Sequence, residues 1–474
     1  MLKMNERTTE VLRYVENNRE AALERLCDLL RIPSISTQKH HKDDCRKAAG
    51  WLVDELCGLG FTASLREVSW AEPGHPMVVG HDEANEGKIQ NGQTHVLFYG
   101  HYDVQPTDPD VLWNTNPFEP CLKETEDGRK VIVARGASDD KGQVMTFIEA
   151  CRAWKAVHGE LPVAVSFLLE GEEESGGENL LPFLKANPEE LKADVALICD
   201  TAMPDRKTPA VTTSLRGTVA EEIELIAACQ DLHSGMYGNA AANPAFLLCQ
   251  IISGLRDDKG RVTLPGFYDG VTVPSEQTRQ QWKALYPDDA ALLEGVGLSQ
   301  AAGEQGFSAI EQTWCRPSFE VNGLTGGYQE DGFKTVIPAR VSAKLSFRLV
   351  PGQDPLKIRD AFRAYVRAAL PEDVTVVFTS HGASSGFAVN RESPFLLATL
   401  EALGTEWGQQ AVMTGCGGSI PVAEEIREAL GMDALMVGFA QADDRIHSPN
   451  EQYGLDSFFH GIRSWVRILA ALAR

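Results

Sequence analysis

The sequence predicts an α/β chain: a mixed, mostly parallel sheet sandwiched by helices, interrupted by a smaller inserted α+β domain. Three observations carry this. HVLFYG (95–100), VAVSFLL (163–169) and VALIC (195–199) are short, continuously apolar runs separated by helical patterns, as expected of parallel strands covered on both faces. By contrast, VSAKLSFRL (341–349) alternates strictly, with Val341, Ala343, Leu345 and Phe347 on one side and Ser342, Lys344, Ser346 and Arg348 on the other. That is an antiparallel strand with one solvated face. From about residue 390 the earlier α/β style returns.

In chain order, residues 8–31 carry Leu23, Leu26 and Leu30 at helical spacing and stop before Pro33. The strand 95–100 follows. Val144, Phe147, Ile148, Cys151 and Trp154 then mark one helix face, before the strands 163–169 and 195–199. The style changes after about residue 212. Asn243-Pro244 and Asp354-Pro355 open two helices, with proline at the first helical position. A polar, irregular insert is expected over roughly 256–320. Later come AVM (411–413), a helix from Pro421, the strand ALMVGF (434–439) and a terminal amphipathic helix bearing Phe459, Ile462, Val466 and Leu469. The expected division is a discontinuous first domain over 1–211 and 387–474, with the second domain over 212–386.

The formal net charge of −23 argues against nucleic acid or an anionic membrane as partner, since both need a basic surface. With 43% hydrophobic residues, 474 residues can fill two cores. The opening MLKMNERTTEVLRY has no apolar core of signal-peptide type, and no run approaches a membrane span. The ten cysteines include no CxxC pair and are expected as reduced thiols in the interior. A cytoplasmic protein is expected.

Five segments place acids or histidines where strands should end. They hold His101 and Asp103 in GHYDVQP, Asp139 in ASDDKG, Glu172 to Glu174 in LLEGEEESGG, Asp200 after VALIC, and His447 in DDRIHSPNE. Singly each has an ordinary explanation: Asp139 would also cap a helix, and the glutamate run would also suit a solvated loop. Together they converge beyond the carboxyl ends of one sheet, where open α/β folds bind ligands. Gathering carboxylates without cations is costly. Imidazole and carboxylate without cysteine suit Zn²⁺, with Mn²⁺ or Co²⁺ also compatible. The donors are too many for one tetrahedral ion and fit two ions sharing a carboxylate around a bridging water.

These motifs, with CDTA (199–202), DLHSGMYGN (231–239), KTVIPA (334–339), RLVPGQDP (348–355) and GGSIPV (417–422), resemble the M20 metallopeptidase family in order along almost the whole chain. The likeness is to its carnosinase-like and cytosolic non-specific dipeptidases. It implies a catalytic first domain and a lid or dimerisation second domain. His101, Asp139 and Asp200 would hold one metal, and Asp139, Glu174 and His447 the other. Asp139 rather than Asp140 bridges, because Lys141-Gly142 fixes the pattern Asp-x-Lys-Gly. Asp103 would orient His101, and Glu173 would be the general base, with Glu172 facing away along extended backbone. His233 would donate to the oxyanion in the partner subunit's site of a homodimer. Thr335, Arg348, His381 and Ser419 would contact substrate, Arg348 through its C-terminal carboxylate. The implied activity is hydrolysis of dipeptides or small peptides with a free C-terminal carboxylate.

One departure concerns substrate. Dipeptidase relatives often carry Arg-Glu directly before Gly-Gly-Ser-Ile-Pro, where this chain has Gly415-Cys416. An N-acyl amino acid amidohydrolase of deacetylase or desuccinylase type is therefore the alternative. A metal-stabilised protein without catalysis would lack the bridge or the base, and both Asp139 and Glu173 are present.

Overall fold

The computed structural model describes residues 2–71 and 74–473. It divides into two compact units, residues 1–213 with 389–414 and 422–474, and residues 214–388 with 415–421. The segment 415–421, grouped with the first domain in sequence, thus packs within the second unit.

In the first unit the sheet order is Phe61–Arg66, Met77–Asp82, Ala164–Glu170, His95–His101, Val195–Ile198, Ala434–Met436 and Ala210–Leu215. The four central strands run parallel and the flanking pairings are antiparallel. From His95–His101 the chain winds to Ala164–Glu170 on one side and then to Val195–Ile198 on the other. His101 therefore stands where the winding reverses, the crevice in which doubly wound sheets bind ligands.

Residues 95–101 and 164–170 are buried throughout. Phe98 stacks on Phe147 with ring centroids 3.9 Å apart, and Trp465 meets both rings edge-on. These contacts clamp the helices Lys141–His158 and Leu455–Leu472 to the middle of the sheet. The sequence suggests one apolar face for the first of these helices, but Met145, Thr146 and Ala150 are buried as well. The helices Leu2–Asn17, Arg19–Leu30 and Leu455–Leu472 pack around it in addition to the sheet. The helical stretch 8–31 is broken at Asn18, whose amide donates to Tyr14 O at 2.8 Å.

The second unit has a four-stranded antiparallel sheet ordered Ser318–Gly326, Arg340–Leu349, Gly217–Ile226 and Thr375–Ser384. Its buried face carries Val219, Ile223, Leu225, Ala343, Leu345 and Phe347 and packs with the helices Pro244–Gly254 and Pro355–Ala368. Both helices start as their sequence signals require: Asn243 accepts from Ala245 N, and Asp354 from Leu356 N and Lys357 N. The insert is more ordered than its polarity suggests. It contains the helices Glu276–Leu285 and Ala309–Trp314, joined by an edge-on contact of Trp282 with Trp314 at 5.2 Å.

All ten cysteines are free thiols. Cys45, Cys151 and Cys199 are buried, but Cys57, Cys229 and Cys249 are exposed, so the interior expectation fails for those three. No described helix is long and apolar enough to cross a membrane.

Candidate active site

The carboxyl ends of the central strands carry the acids and histidines. His101 ends its strand, Asp200 lies two residues past Val195–Ile198, and Glu173–Ser175 form a single 3-10 turn just after Ala164–Glu170. Asp139 precedes the helix Lys141–His158. His447 follows Ala434–Met436 in a loop where Arg445, His447 and Asn450 all have positive φ, His447 at 61°. Left-handed backbone at a β-carbon-bearing residue is uncommon, and it recurs where a loop must aim a functional side chain.

Two triads result, His101–Asp139–Asp200 and Asp139–Glu174–His447, the ligand atoms of each lying within 4.8 Å of one another. Asp139 belongs to both and divides its oxygens between them. Its Oδ1 is 3.1 Å from His101 Nε2 and its Oδ2 is 2.9 Å from His447 Nε2. Asp200 Oδ2 lies 3.9 Å from His101 Nε2, and Glu174 Oε2 lies 3.2 Å from His447 Nε2.

The three adjacent glutamates have different surroundings. Glu172 is buried and accepts from His75 N at 2.6 Å and Asn179 Nδ2 at 2.8 Å. Glu174 accepts from Gln105 Nε2 at 2.7 Å, while its Oε1 is buried without a hydrogen-bond partner among the described residues. Glu173 makes no side-chain hydrogen bond or ion pair among them, yet interacts electrostatically with His101, Asp200, Glu174 and Asp103. The turn, rather than an extended strand, separates the three side chains.

The charges cannot all persist on protein groups alone. Burial, with repulsion from Asp139 and Glu174, pushes Asp200 up to about 7. Burial, with repulsion from Asp200 and Glu174, pushes Glu173 up to about 8. Hydrogen bonds to Asp139 and Glu174 push His447 up to about 10. Bound divalent cations would relieve this crowding, and the imidazole–carboxylate donor set with the orphaned Glu174 oxygen fits them.

Neighbouring residues fix the candidate ligands. Asp103 is buried, with its carbonyl 3.1 Å and its Oδ1 3.3 Å from His101 Nδ1; its Oδ2 accepts from Ser36 Oγ and Glu174 N. Glu451 closes the DDRIHSPNE motif, and the sequence alone assigns it no role. Fully buried, it accepts from the N–H groups of Gly136, Ser138 and Asp139 and from Arg135 Nη1, holding the loop that presents Asp139. Asp140 accepts from His101 N at 3.1 Å, tying the same loop to the central strand. An acid two residues past Ser-Pro is the only local mark of Glu451 in the sequence, and its partners are more than 300 positions away.

The second-domain candidates all lie in the second unit. Arg348 Nη1 donates to Ser419 Oγ at 3.3 Å. His233 and Thr335 are exposed beside a short two-stranded ribbon in which His233 pairs with Val336. His381 stands on the edge strand, its Nε2 3.2 Å from Glu222. Gly415 is wedged against the insert: a β-carbon there would lie 2.8 Å from Trp314 Cβ, so no larger residue fits without a shift.

A mostly parallel sheet whose strand ends bring together two His–carboxylate triads with a shared aspartate fits a metalloenzyme of the α/β class. Sequence comparison narrows it further. The chain belongs to peptidase family M20/M25/M40, whose model matches residues 97–471. It is 29% identical over 472 residues to the Cys-Gly metallodipeptidase DUG1 of Candida albicans, covering 95% of this chain and 94% of that one. It is 29% identical over 392 residues to the Beta-Ala-His dipeptidase of Homo sapiens, covering 80% and 75%. Among solved structures, the M20 family metallo-carboxypeptidase Sso-CP2 from Sulfolobus solfataricus superposes with a TM-score of 0.80 at 31% identity, covering 95% and 99%.

Proposed function

We propose that this protein is a two-metal dipeptidase acting on dipeptides or small peptides with a free C-terminal carboxylate. His101, Asp139 and Asp200 would hold one divalent ion, and Asp139, Glu174 and His447 the other, with Zn²⁺ favoured and Mn²⁺ or Co²⁺ as alternatives. Bound there, the ions supply Lewis acidity that lowers the pKa of water and polarises the peptide carbonyl. Glu173 accepts the proton of the attacking water and returns it to the leaving amine. Asp103 keeps the His101 ring in register.

Arg348 and Ser419 bind the substrate carboxylate, with Thr335 and His381 along the backbone. His233 donates to the oxyanion. Its Nδ1 accepts from Gly235 N, which leaves the proton on Nε2 as a donor. It would do so in the partner subunit's site of a homodimer. The acidic composition and free thiols suit the cytoplasm.

The observation carrying this reading is Asp139 divided between His101 and His447 beside an uncommitted Glu173. The test is a panel of dipeptides, their N-acetyl forms and longer peptides after loading with Zn²⁺, Mn²⁺ or Co²⁺. Background rates throughout would end the proposal, and preference for blocked substrates would establish the amidohydrolase alternative, which the dipeptidase relatives do not favour. The likeness to a metallo-carboxypeptidase supports a second reading, removal of C-terminal residues from longer peptides, which the same panel separates. Mixed His233→Ala and Glu173→Gln subunits should regain part of the activity if sites are shared; absence of rescue despite proven exchange removes that feature.

A further inference from the structure

Arg135, Arg216 and Arg316 are the buried arginines among the described residues. Arg135 pairs with Glu451 and Arg316 with Glu304. Arg216, 8% exposed, has no carboxylate partner among the described residues. Its guanidinium donates only to carbonyls, Nε to Gly417 O at 3.0 Å and Nη1 to Arg316 O at 3.3 Å and Gln312 O at 3.4 Å. A buried cation left without an anion is costly.

Arg348 makes the situation worse, and the pull of Glu320 only partly offsets it. Burial, with repulsion from Arg348, lowers the Arg216 pKa to about 10. Arg348 likewise forms no ion pair with a described carboxylate, and both arginines converge on the 417–419 loop. Arg216 N donates to Gly418 O at 3.2 Å, Arg216 O accepts from Ser419 Oγ at 2.6 Å, and Arg348 Nη1 donates to that same Oγ. Gly417 is pressed onto the guanidinium: a β-carbon there would sit 3.0 Å from Arg216 Nη2 and 2.9 Å from Thr313 Cγ2.

We propose that Arg216 is a positioning and specificity residue that clamps the 417–419 loop and, with Arg348, forms a doubly cationic receptor completed by an incoming carboxylate. The Arg216 guanidinium acts through Gly417 O, while its backbone carbonyl accepts from Ser419 Oγ; Arg348 touches the ligand. A neutral group in that place would leave the repulsion of Arg348 on Arg216, which outweighs the pull of Glu320, without an anion to relieve it. This rests on the proposal that the substrate carries a free C-terminal carboxylate.

The test compares wild type, Arg216→Met and Arg216→Lys, all metal-loaded, on one dipeptide and its C-terminal amide. Arg216→Met should raise KM for the acid about tenfold or more with kcat little changed, the scale of one charge-assisted hydrogen bond. The rate with the amide should hardly change, so that acid-over-amide selectivity falls. Arg216→Lys should retain part of that selectivity and decides the question if the methionine variant does not fold. Parallel losses on acid and amide, or unchanged selectivity, would overturn the proposal. Calorimetric binding of N-acetylglycine against N-acetylglycinamide needs no turnover. Wild type should prefer the acid, Arg216→Met should lose most of that preference and Arg216→Lys part of it, whereas the same preference in wild type and the variants overturns the assignment. Wild type that binds acids selectively yet cleaves no peptide would refute the dipeptidase reading and leave Arg216 to be judged by binding alone.

Discussion

Glu451→Gln replaces one oxygen by nitrogen at almost constant volume, and the structure makes it severe. Oε1 of Glu451 accepts from Ser138 N at 2.9 Å and Asp139 N at 3.0 Å; Oε2 accepts from Gly136 N at 2.9 Å and Arg135 Nη1 at 2.8 Å. Every partner is a donor, so the carboxylate is the form that fits, although burial pushes its pKa up against the pull of Arg135. In glutamine the NH₂ must face one of these donor pairs, whichever way the amide is turned. Two donors then lose their acceptor at ~1–3 kcal/mol each. Arg135, 1% exposed, loses its counter-ion, and breaking one side of a buried pair costs ~3–5 kcal/mol. Because these terms overlap, we expect about 5 kcal/mol, a large share of the ~5–15 kcal/mol that holds a domain folded. Urea unfolding of the metal-free protein measures the loss. Metal affinity should also fall ~10–100-fold, because the same N–H groups shape the loop carrying Asp139. A variant within ~1 kcal/mol of wild type and with unaltered metal affinity would refute the reasoning.

Three other outcomes are expected. Glu173→Gln should keep its metal content and lose ~10²-fold or more in kcat; near-normal turnover by that variant would remove Glu173 as the base. Asp139→Ala breaks both triads at once, so elemental analysis should find both ions lost, and a variant retaining one ion would show that Asp139 does not bridge. Glu406 governs acid stability. Its carboxylate, with 1% of the side chain exposed, receives Arg463 Nε at 2.5 Å, Arg467 Nε at 2.7 Å and His460. Burial raises its pKa, but the hydrogen bonds to His460, Arg463 and Arg467 prevail and bring it down to about 2. A depressed carboxylate pKa stabilises above the unfolded value and loses that contribution as pH falls through the folded one. About 3 kcal/mol should therefore vanish between about pH 4.5 and pH 2 in wild type. Its difference from Glu406→Gln should shrink over that window, and a difference constant with pH would contradict this.

The sequence determined the local choices. Continuous apolar runs could be satisfied only by strands covered on both faces, and strict alternation at 341–349 only by a strand with one wet face. The metal-centre candidates were legible because crowded carboxylates demand a reason, and His101, Asp139, Glu174, Asp200 and His447 do meet. Tertiary structure decided what has no local signature. Glu451 serves a loop more than 300 residues away, Arg216 turns its charge to carbonyls at 312, 316 and 417, and the polar insert gains order from Trp282 against Trp314. Even the glutamate run needed the fold, since only the 3-10 turn assigns Glu172 to His75 and Asn179 and leaves Glu173 uncommitted. Periodicity reports whether a side chain meets water or protein, whereas its particular partner depends on which distant segments the packed sheet brings alongside it.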